Sequence, residues 1–309
     1  MPYPSRRQFI ATTLATGVSL ASSVCEAIEP LKRIHPRIKG LSLATYSLRK
    51  KMRWSRGEKQ AGGTLSMMDF LDYCAKEGFD AAEMTAYFFE LPVSTQTMNQ
   101  LKRRAHLLGL DISGGAIGND FGHPPTSDFG RKQLEYTAQW IDGYADLGAP
   151  TIRIFAGKSR PDGATDEQVI ANVIANLETI LPHAEKRGVM LGIENHDFAA
   201  NLDVLEKILT SIKSDWLGVT WDSANVATTD DPYADLARIA PYAITAQIKV
   251  KTRVQDELVD ADLAKLIQIL KDASYAGYLV LEYEEEEDAY DAIPNFKRDV
   301  EKAMKTGLG

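Results

Sequence analysis

The stretch Lys186-Arg187-Gly188-Val189-Met190-Leu191-Gly192-Ile193-Glu194-Asn195-His196 decides how this chain is read. A polar helical tail ends in a glycine, which can take the left-handed conformation that closes a last turn. An almost wholly apolar run follows, of the kind a strand shows when both its faces are covered. The run stops on an acid, an amide and a histidine. Upstream, Ile170, Val173, Ile174 and Leu177 recur at helical spacing and Leu181 extends the stripe, so the tail belongs to an amphipathic helix.

The same signature returns at Lys76-Glu77-Gly78-Phe79, Leu107-Leu108-Gly109-Leu110, Asp146-Leu147-Gly148-Ala149 and Tyr275-Ala276-Gly277-Tyr278. Gly78, Gly109, Gly148 and Gly188 are 31, 39 and 40 residues apart, the length of one strand with its crossover helix. Strands are expected at Leu41–Tyr46, Phe79–Met84, Leu110–Ala116, Pro150–Phe155, Val189–Glu194, Trp216–Trp221, Ala243–Lys249 and Tyr278–Glu282. Eight apolar strands separated by helices favour one closed (β/α)8 TIM barrel over an open sheet. No G-x-G-x-x-G follows the first strand, so a dinucleotide-binding fold lacks its main support.

The 309 residues carry 35 Lys and Arg against 43 Asp and Glu, a net charge of −8. A phosphate-backbone binder usually has the opposite sign, so nucleic acid is disfavoured as a partner and a small molecule is favoured. The N-terminus places Arg6-Arg7 before a short apolar run, Ala11–Val24, about half the ~20 residues a membrane span needs. A twin-arginine pair in that setting reads as an export signal. The expected arrangement is a cleavable signal segment at 1–27, cut after Ala27, and a barrel domain at 28–309. The precursor would engage the twin-arginine machinery, and the mature chain would reach the periplasm or the cell exterior with no stable membrane insertion. Of the two cysteines, Cys25 would leave with the signal; Cys74, at helical spacing with Met67, Phe70 and Leu71, is expected in the core. A homo-oligomer stays open.

Chemistry in such a barrel gathers at the carboxyl ends of the strands. There the sequence sets Glu194 after the fifth strand, Asp222 after the sixth, Gln247 near the end of the seventh and Glu282 after the eighth. Three carboxylates sharing a partly dry pocket need a positive partner. One divalent cation is the simplest. Oxygen donors from Glu194, Asp222, Gln247 and Glu282 suit Mn²⁺ or Mg²⁺, with Co²⁺ or Zn²⁺ as lesser choices.

The motifs I-E-N-H at 193–196, W-D-S-A-N at 221–225, Q-I-K at 247–249 and L-E-Y at 281–283 resemble the xylose-isomerase-like barrel superfamily. That is the sugar phosphate isomerase/epimerase group, which also holds ketose 3-epimerases, inosose dehydratases and a nuclease branch. The resemblance implies one divalent ion on Glu194, Asp222, Gln247 and Glu282, with Glu194 and Glu282 also moving protons. Gln247 stands where the epimerases usually have histidine, and Asn225 where they often have a second, substrate-binding one. The nuclease branch uses a His-rich multi-zinc centre; five histidines, two of them (His106 and His183) in expected helices, argue against it here.

A cation-bound enediolate serves epimerisation, isomerisation and β-elimination alike. A metal-dependent isomerase/epimerase ranks first. A lyase or dehydratase acting on a keto-sugar or 3-keto-glycoside comes second, and a non-catalytic sugar-binding barrel third. Export points to a small, unphosphorylated carbohydrate as substrate. Around the pocket, Lys249, His196, His123, Asn225, Glu83, Arg153 and Trp54 are the candidate substrate contacts. The acidic run Glu284–Asp288 reads as a solvated loop.

Overall fold

A computed structural model describes residues 28–227, 230–255 and 257–306. The expected signal segment lies outside them. Eight strands close into a barrel: β1 (Ile38–Ala44), β2 (Ala81–Thr85), β3 (Asp111–Ala116), β4 (Thr151–Ile154), β5 (Met190–Glu194), β6 (Leu217–Asp222), β7 (Ala243–Ile248) and β8 (Gly277–Leu281). Every neighbouring pair is parallel, and β8 closes the ring against β1.

Among the described residues, eight α-helices surround them: α1 (Met67–Lys76), α2 (Thr95–Leu107), α3 (Asp128–Leu147), α4 (Asp166–Arg187), α5 (Leu202–Thr210), α6 (Pro232–Ile239), α7 (Leu263–Asp272) and α8 (Ala289–Thr306). Two short hairpins interrupt the pattern, Trp54–Ser55 with Glu58–Lys59 and Lys251–Val254 with Glu257–Asp260. Among the described residues no helix is long and apolar enough to cross a membrane.

α4 shows how local sequence sets an element. Thr165 accepts from the Gln168 amide while the Gln168 side chain returns to the Thr165 amide, so two of the first turn's free N–H groups are paired. Asp166 and Glu167 sit in the first turn and Lys186 and Arg187 in the last, each at the dipole end that favours its sign. Gly188 ends the helix at φ +72°. Ile170, Val173, Leu177 and Leu181 are buried against the barrel. Cys74 is free and buried, as its spacing indicates.

One expectation is corrected. Gly277 does not close a helix but begins β8; the left-handed residue before it is Ser274, at φ +57°. Gly115 answers to a different need, close approach: a Cβ there would stand 2.1 Å from the Tyr144 ring. Without one, α3 lays Tyr144 against β3 and its hydroxyl donates to the Met84 carbonyl.

Candidate functional site

The strand ends converge as the spacing predicts. Asp222 pairs in register with Gln247, and Gln247 with Val280, so neighbouring strands present their polar ends at matched height. On β4, Arg153 pairs with Gly192 of β5; Glu194, two residues on, shares that side of its strand. Glu83, Arg153, Glu194, Asp222, Gln247, Lys249 and Glu282 are all buried. Buried charges survive only when paired, so each partner matters.

Two cations organise the acids. Arg153 Nε stands 2.9 Å from Glu194 Oε2 as an ion pair, although this N–H makes no hydrogen bond. Its Nη1 donates to the Ile117 carbonyl at 2.6 Å and to the Tyr87 hydroxyl at 3.3 Å, and the guanidinium lies 4.0 Å from the Phe155 ring centroid. Burial opposes this charge, yet Tyr87, Glu194 and Glu282 hold the guanidinium protonated even more firmly than in water. The other Glu194 oxygen accepts from Asn225 Nδ2 at 2.9 Å.

Lys249 is the second cation. Its Nζ donates to Glu282 Oε2 at 2.5 Å and to Glu284 Oε1, and stands 3.3 Å from Asp222 Oδ2. Burial works against the ammonium, but Asp222, Glu282 and Glu284 outweigh it and hold Lys249 charged well above the ordinary lysine range. Burial likewise raises Asp222 and Glu282, with Lys249 pulling the other way. Both directions say one thing: burial raises the proton affinity of the two acids, and the acids raise that of the lysine.

Asp222 Oδ1 accepts the Ala224 and Asn225 amides at 2.8 and 3.1 Å. Asn195 ties β5 to β6, its Nδ2 donating to the Asp222 and Asn225 carbonyls and its Oδ1 accepting the Asp222 amide. Gln247 Nε2 donates to Glu83 Oε1 at 3.0 Å, and its own Oε1 is buried with no hydrogen-bond partner. Glu83 is pushed up to about 8, chiefly by burial and then by repulsion from Glu282.

A divalent cation was the simplest expectation for this centre, and the arrangement tests it. Among the described residues no group of three or more His, Cys, Asp or Glu side chains forms a set able to hold a metal ion. Glu194 leans on Arg153, Asp222 and Glu282 lean on Lys249, and the Gln247 amide nitrogen donates to Glu83, while the Gln247 oxygen and Asp222 Oδ2 make no hydrogen bond. The Lys249 ammonium occupies the place between Asp222 and Glu282 that a shared ion would need. As arranged, the four expected ligands do not fit a resident divalent cation.

Of the expected substrate contacts, Glu83, Arg153, Asn225 and Lys249 join the acids. His123 instead meets Ser159 Oγ at 3.2 Å and packs on Phe129. His196 pairs with Asp197 at 3.0 Å, its ring 5.2 Å from Phe155, the same ring that carries Arg153. Trp54 is half-buried in the first hairpin, where Arg56 lies over the Tyr87 ring at 4.1 Å. The acidic run is corrected in part: Glu284 reaches Lys249, Glu285 pairs with Lys251 and Asp288 with Lys51. Tyr87, Phe155 and Asn195 were not singled out from sequence, and Glu284 only as part of the acidic run. Asn195 alone had a signal there, lying inside I-E-N-H beside Glu194.

Comparison with known proteins agrees with this architecture. Among curated proteins nothing matches the chain. Solved structures do. An L-ribulose 3-epimerase superposes with a TM-score of 0.68 at 16% identity, covering 87% of this chain and 95% of its own. A 3-keto-D-glucoside 4-epimerase from E. coli, in its apo form, gives 0.66 at 14% identity over 82% of this chain and 100% of its own. A xylose isomerase-like TIM barrel protein from Mycobacterium smegmatis, in complex with magnesium, gives 0.67 at 14% identity over 87% and 98%. At such identities the likeness is one of fold. The family model described as the xylose isomerase-like TIM barrel matches residues 71–304, and the chain belongs to that family.

Proposed function

We propose that this protein is a carbohydrate isomerase or epimerase, moving a proton at the carbon beside a carbonyl of an unphosphorylated sugar or sugar derivative. One observation carries the reading. Glu194 and Glu282 are two buried carboxylates, three strands apart around the barrel mouth, and each stands against its own fixed cation. Carboxylates placed on two sides of a substrate carbon can act as base and acid. Fixed positive charge in a dry site stabilises the oxyanion that forms when the C–H proton leaves.

The family resemblance would assign that electrostatic work to a divalent ion. In this chain Lys249 fills the position, so the steps are written on the protein's own groups. Lys249 and Arg153 polarise the carbonyl and the neighbouring hydroxyl. One glutamate removes the proton, and the other returns it to the opposite face or to the adjacent carbon. Of the Lys249 partners, Glu284 is 42% exposed while Asp222 and Glu282 are buried, so Glu284 is the one a substrate oxygen displaces. The Gln247 oxygen is a buried acceptor awaiting a hydroxyl. The preference for an unphosphorylated substrate rests on the twin-arginine pair and the export it implies.

The test is proton exchange by NMR in D₂O against free sugars and 3-keto-glycosides. Glu194→Gln and Glu282→Gln should each slow solvent-deuterium incorporation about 10²- to 10⁴-fold with the fold intact. Deuterium incorporation that persists in both variants would remove the two-carboxylate scheme. A β-elimination product from wild type would move the protein to the lyase class.

A further inference from the structure

The disagreement between the donor set and a metal ion has a specific cause. Lys249 lies at the end of β7, two residues beyond Gln247 and on the same side of the strand. Its backbone amide donates to Ser223 Oγ at 2.9 Å, which fixes where the side chain starts. The four-carbon arm then carries the ammonium inward, and the residue is only 7% exposed. It arrives between Asp222 Oδ2 and Glu282 Oε2, atoms from strands on either side of β7.

We infer that the Lys249 ammonium is a built-in replacement for the divalent cation, and that the wild-type protein holds no resident metal in the barrel mouth. Three observations converge. The ammonium lies at hydrogen-bond or ion-pair distance from two of the three acids in the expected ligand set. The third, Glu194, has its own cation in Arg153. The remaining position is Gln247, whose one free donor is an uncharged amide oxygen, with no formal charge to hold an ion by itself. A small divalent ion needs several oxygens at about 2.0–2.6 Å around one point. The ammonium excludes such an ion from the space between Asp222 and Glu282.

The replacement has chemical consequences. An ammonium offers three hydrogen-bond donors and one charge on a flexible stem, where a metal offers two charges and open coordination positions. It polarises one oxygen well but does not chelate two. The inference deepens the proposed isomerase reading, yet its test uses no substrate, so the two can fail separately.

The experiment is a titration of chelator-treated protein with Mn²⁺, followed by loss of the free-ion EPR signal. Wild type should leave the signal unchanged up to about 1 mM. Lys249→Ala removes the plug and should bind one equivalent at least about tenfold more tightly than wild type. Adding Asp222→Asn to that variant should abolish the gain. Lys249→Met, which keeps most of the arm's volume, serves if the alanine variant does not fold, with circular dichroism as the check. One equivalent of Mn²⁺ bound tightly by wild type and lost in Asp222→Asn would overturn the inference. So would the absence of any gain in folded Lys249 variants, because the lysine would then be filling no cation position.

Discussion

Arg153 and Glu194 come from adjacent strands and meet inside the barrel mouth, Nε 2.9 Å from Oε2, both buried. Removing one member of a buried pair leaves the other charge without compensation, typically at about 3–5 kcal/mol. Arg153→Met should therefore lower the urea-denaturation free energy by about that amount, while Arg153→Met with Glu194→Gln should recover part of it. A double-mutant cycle reads the coupling directly. Coupling within about 0.5 kcal/mol of zero would mean that Ile117 and Tyr87, not Glu194, hold the guanidinium in place.

Glu284 bears on affinity. It engages the Lys249 ammonium from the exposed side, so a substrate oxygen must compete with it. Glu284→Gln weakens the competitor and leaves the two proton-moving glutamates untouched. The expected result is a KM lowered by up to about tenfold with kcat nearly constant, the size of one exposed charge contact. A raised KM would show instead that Glu284 steadies the ammonium for substrate.

The barrel was legible because one signature, glycine followed by an apolar run, marks four of its eight strands, and Glu194, Asp222 and Glu282 each follow such a run. Strand period then brings those ends to one mouth. Lys249 was placed on the correct side of its strand, but no periodicity tells how far a four-carbon arm reaches or whom it meets. Glu284 lay hidden in five consecutive acids, a run whose bland reading is solvent. The Arg153–Glu194 pair needed the β4–β5 register, which only the closed sheet supplies. Gly277 misled because a glycine beginning a strand and a glycine ending a helix look alike in sequence.

Asn195 should prove structural in a way that its neighbour Glu194 is not. Its side chain makes three hydrogen bonds to the backbone of Asp222 and Asn225, at 2.9, 2.6 and 2.8 Å, and is fully buried. Asn195→Ala leaves the Asp222 amide and carbonyl short of partners, each worth about 1–3 kcal/mol when buried. A loss of about 2–4 kcal/mol in urea denaturation is expected, together with reduced turnover because Asp222 loses its seat. Asn195→Asp keeps the acceptor but turns a buried carboxylate oxygen onto the two carbonyls and should cost at least as much. A variant as stable as wild type would show that the β5–β6 register alone positions Asp222.

Glu83 gives the site a pH signature whose sign can be worked out. Burial, with repulsion from Glu282, raises its pKa from the ordinary 4.5 to about 8, so the folded state favours the neutral carboxyl. Between those values the fold binds a proton that the unfolded chain has released. Its stabilising contribution is complete below about pH 4.5, falls as pH rises, and is gone above about 8, amounting to at most about 5 kcal/mol across the window. Glu83→Gln keeps an oxygen that can accept from Gln247 Nε2 and removes the titration. The difference in Tm between variant and wild type should thus grow in the variant's favour as pH rises from about 5 to about 8, steepest near about pH 6 to 7 and levelling off above about 8. Parallel Tm curves for the two proteins over that range would mean that Glu83 is ionised in the fold, with Arg153 supplying the charge that keeps it so.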